Sequence, residues 1–253
     1  MSSFVKIEKP HLTVMIKQTQ NPDSIIAEIG RALNADAEAF GIQTEGLPRK
    51  YHTEENIKSI FAAANGKPIY VTNYKLSQNE NMTYDEIADE LLLYADYGAT
   101  LCDVMGDMYC KHDEELTDNP EAINKQIELI NKLHLHGAEV LMSSHVNKFT
   151  PAERVLEIAL EHKKRGADIS KIVTHADSME QQIENLRITN LLKEKADIPF
   201  LFLSGGDCLI HRRLGIVLGC CMSLCVCELA EGSTNPQPLI VEQREIRDKI
   251  HLL

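Results

Sequence analysis

Strand-like apolar runs and helix-patterned stretches alternate along this chain, and that alternation is what most limits its fold. The runs are LTVMIK (12–17), AEAFGIQ (37–43), PIYVTNY (68–74), TLCDVMG (100–106), EVLMSSH (139–145), ISKIVTH (169–175), PFLFLS (199–204) and CMSLCVC (221–227). Between several of them lie amphipathic segments with readable ends. NPDSIIAEIGRALN opens on Asn-Pro-Asp capping chemistry. MTYDEIADELLLYADYG offers Thr83 as cap, Glu86 three residues on, and Gly98 as a stop. FTPAERVLEIALEHKKRG places Thr150 as cap, Pro151 at the first helical position and Gly166 as terminator. NPEAINKQIELINKLHLHG and SMEQQIENLRITNLLKEK repeat the pattern. Strands mostly about 30 residues apart with helices between them predict a parallel α/β sheet. Eight such units in 253 residues fit a single (β/α)8 TIM barrel over residues 1–253 better than an open doubly wound sheet. An open sheet usually carries a glycine-rich fingerprint after its first strand, and MIKQTQNPDS has none. No linker or composition shift marks a second domain.

Composition narrows the partners. A net charge of −12 without a concentrated Lys/Arg stripe argues against nucleic acid or an anionic membrane. No apolar run approaches the roughly 20 residues that span a bilayer. The opening MSSFVKIEKPHL lacks an apolar signal region, and seven cysteines come without an export signal, so a reducing cytoplasm is expected. Four of those cysteines cluster in CCMSLCVC. Zinc sites draw ligand pairs from separate turns, whereas Cys221, Cys225 and Cys227 share one face of one strand. Small thiols buried in a core strand are the better reading, and no metal or other cofactor is assigned.

One residue is out of keeping with its strand. Lys171 stands inside ISKIVTH, and an unpaired buried cation costs several kcal/mol or more. Barrel strands send alternate side chains inward, and active sites gather at their C-terminal ends. Lys171, Val173 and His175 share one face of strand 6; Leu141, Ser143 and His145 share one face of strand 5. With those faces inward, Lys171 and His145 converge near the mouth. A neutral lysine amine attacks ketones and aldehydes to form a Schiff base, which draws electrons from the neighbouring carbon. Histidine moves protons near neutral pH. The structural alternative is half of a buried ion pair for the lysine and a hydrogen-bonded core residue for the histidine.

These segments resemble the type I 3-dehydroquinate dehydratase family. VLMSSHVNKFTP is similar to that family's strand-5 segment with its histidine, and GADISKIVTHADS to its strand-6 segment with the imine-forming lysine; the 26-residue separation of His145 and Lys171 also fits. HRRLGIVLG looks like its arginine segment and GSTNPQ like its Ser-x-x-x-Gln loop. The resemblance implies that Lys171 forms the imine, that His145 shuttles protons, and that Asp103 orients the histidine. It further implies that Arg212, or Arg213 beside it, holds the substrate carboxylate while Ser233 and Gln237 close over it. It also implies a homodimer as the default assembly.

The first half departs from the pattern. The family's strand-2 glutamate and arginine are replaced by Gly41 and Gln43, and its strand-3 arginine by Tyr74 with Lys75 alongside. A shifted strand-2 alignment would bring in Glu38 or Glu45, and Glu80 is the nearest acidic residue after strand 3. Gln43 and Tyr74 are therefore expected at the ring-hydroxyl end of the substrate. Three readings follow: dehydration of 3-dehydroquinate, the same chemistry on another keto or aldehyde carboxylate as a lyase or aldolase, and a non-catalytic barrel that binds a small carboxylate. The glycines of LSGGD after strand 7 leave open a phosphate site, with a plain turn as the alternative.

Overall fold

The computed structural model describes residues 3–17, 19–229 and 237–250. Eight strands alternate with eight helices among them: β1 (His11–Ile16), α1 (Pro22–Asn34), β2 (Ala39–Gln43), α2 (Glu54–Ala63), β3 (Ile69–Thr72), α3 (Tyr84–Tyr97), β4 (Leu101–Met105) and α4 (Pro120–Leu135), then β5 (Glu139–His145), α5 (Ala152–Lys164), β6 (Ile169–His175), α6 (Met179–Lys195), β7 (Phe200–Gly205), α7 (Ile210–Leu218), β8 (Met222–Cys225) and α8 (Ile240–Lys249). Every pairing is parallel, in the order β7-β6-β5-β4-β3-β2-β1-β8. Cys221 N–H donates to the Phe200 carbonyl at 2.9 Å and bridges the seam between the last two strands. The result is a nearly closed (β/α)8 barrel, as the alternation of runs predicts. No helix among the described residues is long and apolar enough to cross a membrane.

Two apolar layers follow from the period of two in each strand. Met15, Tyr70, Leu101, Leu141 and Leu201 fill the interior, while Val14, Phe40, Val71, Val104 and Met142 meet the helices. Capping is largely as written in the sequence: Thr83 and Glu86 form a capping box on α3, and Gly98 ends that helix in the left-handed region at φ 113°. The start of α5 differs. Pro151 is its N-cap rather than its first residue, and Thr150 instead donates its hydroxyl to the Lys148 carbonyl. A proline cap offers no side-chain acceptor, so Glu184 of α6 accepts from Ala152 N–H at 3.0 Å. Cys220, Cys221 and Cys225 are buried around β8, where burial pushes the Cys220 and Cys225 thiols up to about 12.

Candidate active site

Lys171 points into the barrel. Its Nζ reaches across the interior to the hydroxyls of Tyr70 at 3.0 Å and Tyr74 at 2.9 Å, and to Asp103 Oδ2 at 3.2 Å. An ammonium has three donors and no acceptor, so these partners use all of them. The side chain is 6% exposed and Asp103 is fully buried, which makes this a desolvated ion pair. Asp103 Oδ2 also accepts from Tyr70 and, at 2.6 Å, from Tyr74, and Oδ1 accepts from Ser143 at 2.6 Å. Burial pushes the Asp103 carboxyl up, but the Lys171 charge and the three hydroxyls more than offset it, leaving it below the usual carboxylate range. Burial and the Asp103 charge hold both phenols well above the ordinary value, so they rest protonated.

His145 sits at the rim. In the β5–β6 register Ser143 pairs with Lys171 and His145 with Val173, so the histidine stands one pleat nearer the mouth. Its partner is Glu115, from the long connection after β4, whose Oε2 accepts from His145 Nδ1 at 2.7 Å and from the His145 backbone N–H at 2.9 Å. That bond places a proton on Nδ1 and leaves Nε2 to act as base or acid. Burial pushes the Glu115 carboxyl up, and the bond and charge of His145 bring it below the usual range. Gly106 makes this approach feasible, because a Cβ there would overlap the Glu115 carbonyl. The expectation that Asp103 orients His145 is corrected. Asp103 pairs with Leu141, four residues below His145, and its carboxylate is taken by Ser143, Lys171 and the two phenols instead. Nor do Lys171 and His145 bond directly: Tyr74 lies between them, its hydroxyl on Nζ and its ring edge-on to the imidazole with centroids 5.8 Å apart.

The remaining candidates divide. Arg212, on α7, is half-buried and donates through Nε to the Ser204 carbonyl at the end of β7, at 2.7 Å. Among the described residues it meets no carboxylate, and burial lowers its guanidinium to about 10. Arg213 is exposed and lines a groove with Glu242 and Glu245 of α8. Gln43 takes a 3.4 Å contact from Lys17 Nζ at the mouth, and with Glu45 both line a cleft there. Gln237 is half-buried ahead of α8, and Ser233 lies outside the described residues. Gly205 closes β7 and Gly206 bends the chain at a positive φ of 83°; beyond it Asp207 N–H donates to the Asp177 carboxylate and Cys208 N–H to the Ala176 carbonyl. Those donors are taken, and a carboxylate already faces them.

Sequence reasoning missed Tyr70, Glu115 and Lys17. Tyr70 is four residues before Tyr74 on the same inward face, so strand alternation alone could have found it; the other two carry no spacing signal. A Cβ on Gly41 would overlap the Met15 thioether, with Tyr70 beside it, so that wall is packed with apolar and aromatic groups. Glu45 is buried against Thr72, whose hydroxyl lies 2.9 Å from one carboxylate oxygen, and burial pushes its carboxyl up.

The chain is similar to known proteins in sequence and in fold. The family model described as type I 3-dehydroquinase matches residues 18–252. The 3-dehydroquinate dehydratase of Listeria welshimeri is 32% identical over 127 residues, covering 49% of this chain and 50% of that protein. That of Clostridium novyi is 28% identical over 162 residues, covering 59% of this chain and 63% of that protein. The chain thus spans about half the length of the curated relatives it matches. The 3-dehydroquinate dehydratase structure from Geobacillus kaustophilus superimposes with a TM-score of 0.81 at 15% identity, over 98% of this chain and 95% of that one. The type I enzyme from Clostridium difficile, solved with covalently modified comenic acid, gives 0.79 at 19% identity, over 96% and 93%. At such identities these structures speak to the fold alone.

Proposed function

The chain belongs to the type I 3-dehydroquinase family, and from that premise we propose that it is an imine-forming carbon–oxygen lyase acting on a cyclic keto carboxylate. The reaction is the conversion of 3-dehydroquinate to 3-dehydroshikimate and water. Lys171 forms the Schiff base, His145 Nε2 removes the α-proton and returns it to the departing hydroxyl, and Arg212 holds the carboxylate in its planar fork. The observation that carries this reading is the buried lysine in the barrel interior, one pleat below a histidine whose Nδ1 is fixed by Glu115. Arg212, half-buried without a carboxylate, adds an anion site at the same mouth. Incubation with 3-dehydroquinate and borohydride, followed by intact mass, should show one adduct that is lost in Lys171→Ala and kept in His145→Ala. His145→Ala should lower turnover about 10²–10⁴-fold. An adduct of equal size in Lys171→Ala would assign the nucleophile elsewhere.

One observation favours a change of substrate within that chemistry. Met15 fills the space at Gly41, and Tyr74 is committed to Lys171 and Asp103, so two groups that would meet ring hydroxyls are gone. A site lacking such partners loses the corresponding orientation. The progress curve at the 3-dehydroshikimate absorbance should give a kcat/KM at least about a hundredfold below the usual 10⁴–10⁸ M⁻¹s⁻¹. Small keto acids without ring hydroxyls should compete. Robust dehydration of 3-dehydroquinate would defeat this second reading and leave the first intact.

A further inference from the structure

The two phenols on Lys171 are not equivalent. Tyr70 is fully buried on β3 and reaches Nζ from the closed end of the barrel, whereas Tyr74 follows the C-terminal end of that strand, on the side of the mouth. The Tyr74 hydroxyl makes three polar contacts at once: Lys171 Nζ at 2.9 Å, Asp103 Oδ2 at 2.6 Å and Ser143 Oγ at 3.5 Å. Its ring meets His145. A ketone arriving from the mouth to react at Nζ must come down beside this hydroxyl.

We propose that Tyr74 is a catalytic residue that carries protons between the Lys171 amine, Asp103 and the substrate oxygen during imine formation. This rests on the imine reading above. Nζ gives one proton to the Tyr74 oxygen as Tyr74 passes its own to Asp103 Oδ2. The amine lone pair then forms the C–N bond, the C=O π pair moves to oxygen, and the proton held on Asp103 returns through Tyr74 to that oxygen. A second Nζ proton follows the same phenol to the carbinolamine hydroxyl. The C–O bond breaks with its electron pair, the nitrogen lone pair closes the C=N bond, and water leaves. Two protons of the ammonium depart in that water and one stays on the iminium, so the balance closes without a co-reactant. Asp103 suits the transient load, because its carboxyl is held low by the ammonium against burial, and that restraint vanishes as the proton leaves Lys171.

The test is the initial rate of adduct formation, by rapid quench into borohydride and intact mass, with 3-dehydroquinate and separately with 3-oxocyclohexanecarboxylate. Tyr74→Phe keeps the ring and should slow trapping about 10²-fold; Tyr70→Phe, which loses a bond of the same kind at the closed end, should slow it less than about tenfold. Fluorotyrosines placed at position 74 keep the shape and change phenol acidity, so the trapping rate should track that acidity, which a purely structural hydroxyl would not produce. They also serve should Tyr74→Phe fail to fold. Trapping in Tyr74→Phe at the wild-type rate, a rate indifferent to fluorination, or a larger loss in Tyr70→Phe would each overturn the proposal. A wild-type protein that traps neither ketone would instead defeat the imine reading beneath it.

Discussion

Arg212 turns toward the end of β7 and Arg213 lines a groove with α8, although the two are neighbours in sequence. A helix spreads successive residues about 100° apart, so only one of a pair can face the mouth. Arg212→Lys keeps the charge but not the planar fork, and should weaken binding of a small keto acid about tenfold or more in a competition assay. Arg213→Ala should leave that affinity within about twofold, because its side chain is exposed away from the mouth. Equal losses in both would show that general charge, not the fork, holds the anion. The same scale sets how much of the site the sequence discloses. Lys171 and His145 are legible because alternation in a strand fixes which side chains turn inward, whereas Tyr74 comes only from the resemblance. The partner of His145 is not legible that way. Which carboxylate reaches the imidazole depends on strand stagger and on an irregular connection, where Glu115 itself takes a positive φ of 46°. A pattern of two cannot specify either.

At the scale of elements, that connection between β4 and α4 is held from outside the barrel. Arg165, at the end of α5, donates to the Gly106 carbonyl at 2.9 Å, to Gln126 Oε1 at 2.7 Å and to the Thr117 carbonyl at 2.7 Å. It spans both ends of the segment that carries Glu115, so the orientation of His145 depends on a buried guanidinium in another element. Arg165→Met leaves the Thr117 carbonyl and Gln126 Oε1 without this donor, while the Gly106 carbonyl keeps Thr117 N–H and Gln126 Nε2, and should cost about 2–4 kcal/mol in urea unfolding. It should lower turnover while sparing imine trapping, since Lys171 itself stands on β6 and its two phenol partners come from β3 and the loop after it. Equal loss of turnover and trapping would refute the link through Glu115. The sequence makes the strands and the longer helices plain, because eight runs and five amphipathic stretches carry strong period. It is silent on α2 and α8, each ten residues long, and on the nine residues of α7. Two or three turns give little period to detect, and packing between neighbouring strand connections decides such segments. The strand ends shift for a similar reason: β3 stops at Thr72, and Tyr74 belongs to the loop that lets its hydroxyl turn back toward Lys171.

Across the whole barrel, two histidines tie the strand layer to the helices while remaining uncharged. His162 of α5 bridges Ser144 and Ser170 at 3.0 and 2.9 Å, and His211 of α7 packs on the Phe202 ring with centroids 4.9 Å apart. Burial lowers the first to about 3 and the second to about 4. The unfolded chain takes up a proton at each below about pH 6.5, whereas the folded barrel takes up none until far lower. Their contribution to stability is therefore complete above about pH 6.5 and is lost as pH falls toward those values, at up to about 1.4 kcal/mol per pH unit for each. Glu45 and Asp107 act in the opposite direction, because burial raises their carboxyls and the folded state then binds protons first. The total slope mixes these effects, so a single-site difference is the clean measurement. Urea unfolding of wild type and His211→Phe between pH 6 and pH 5 should show the variant losing about 1.4 kcal/mol less per pH unit. The aromatic replacement keeps the contact with Phe202 and removes the titrating ring. Parallel pH profiles would mean that His211 takes up its proton within the folded barrel and that the helix layer tolerates a charge there.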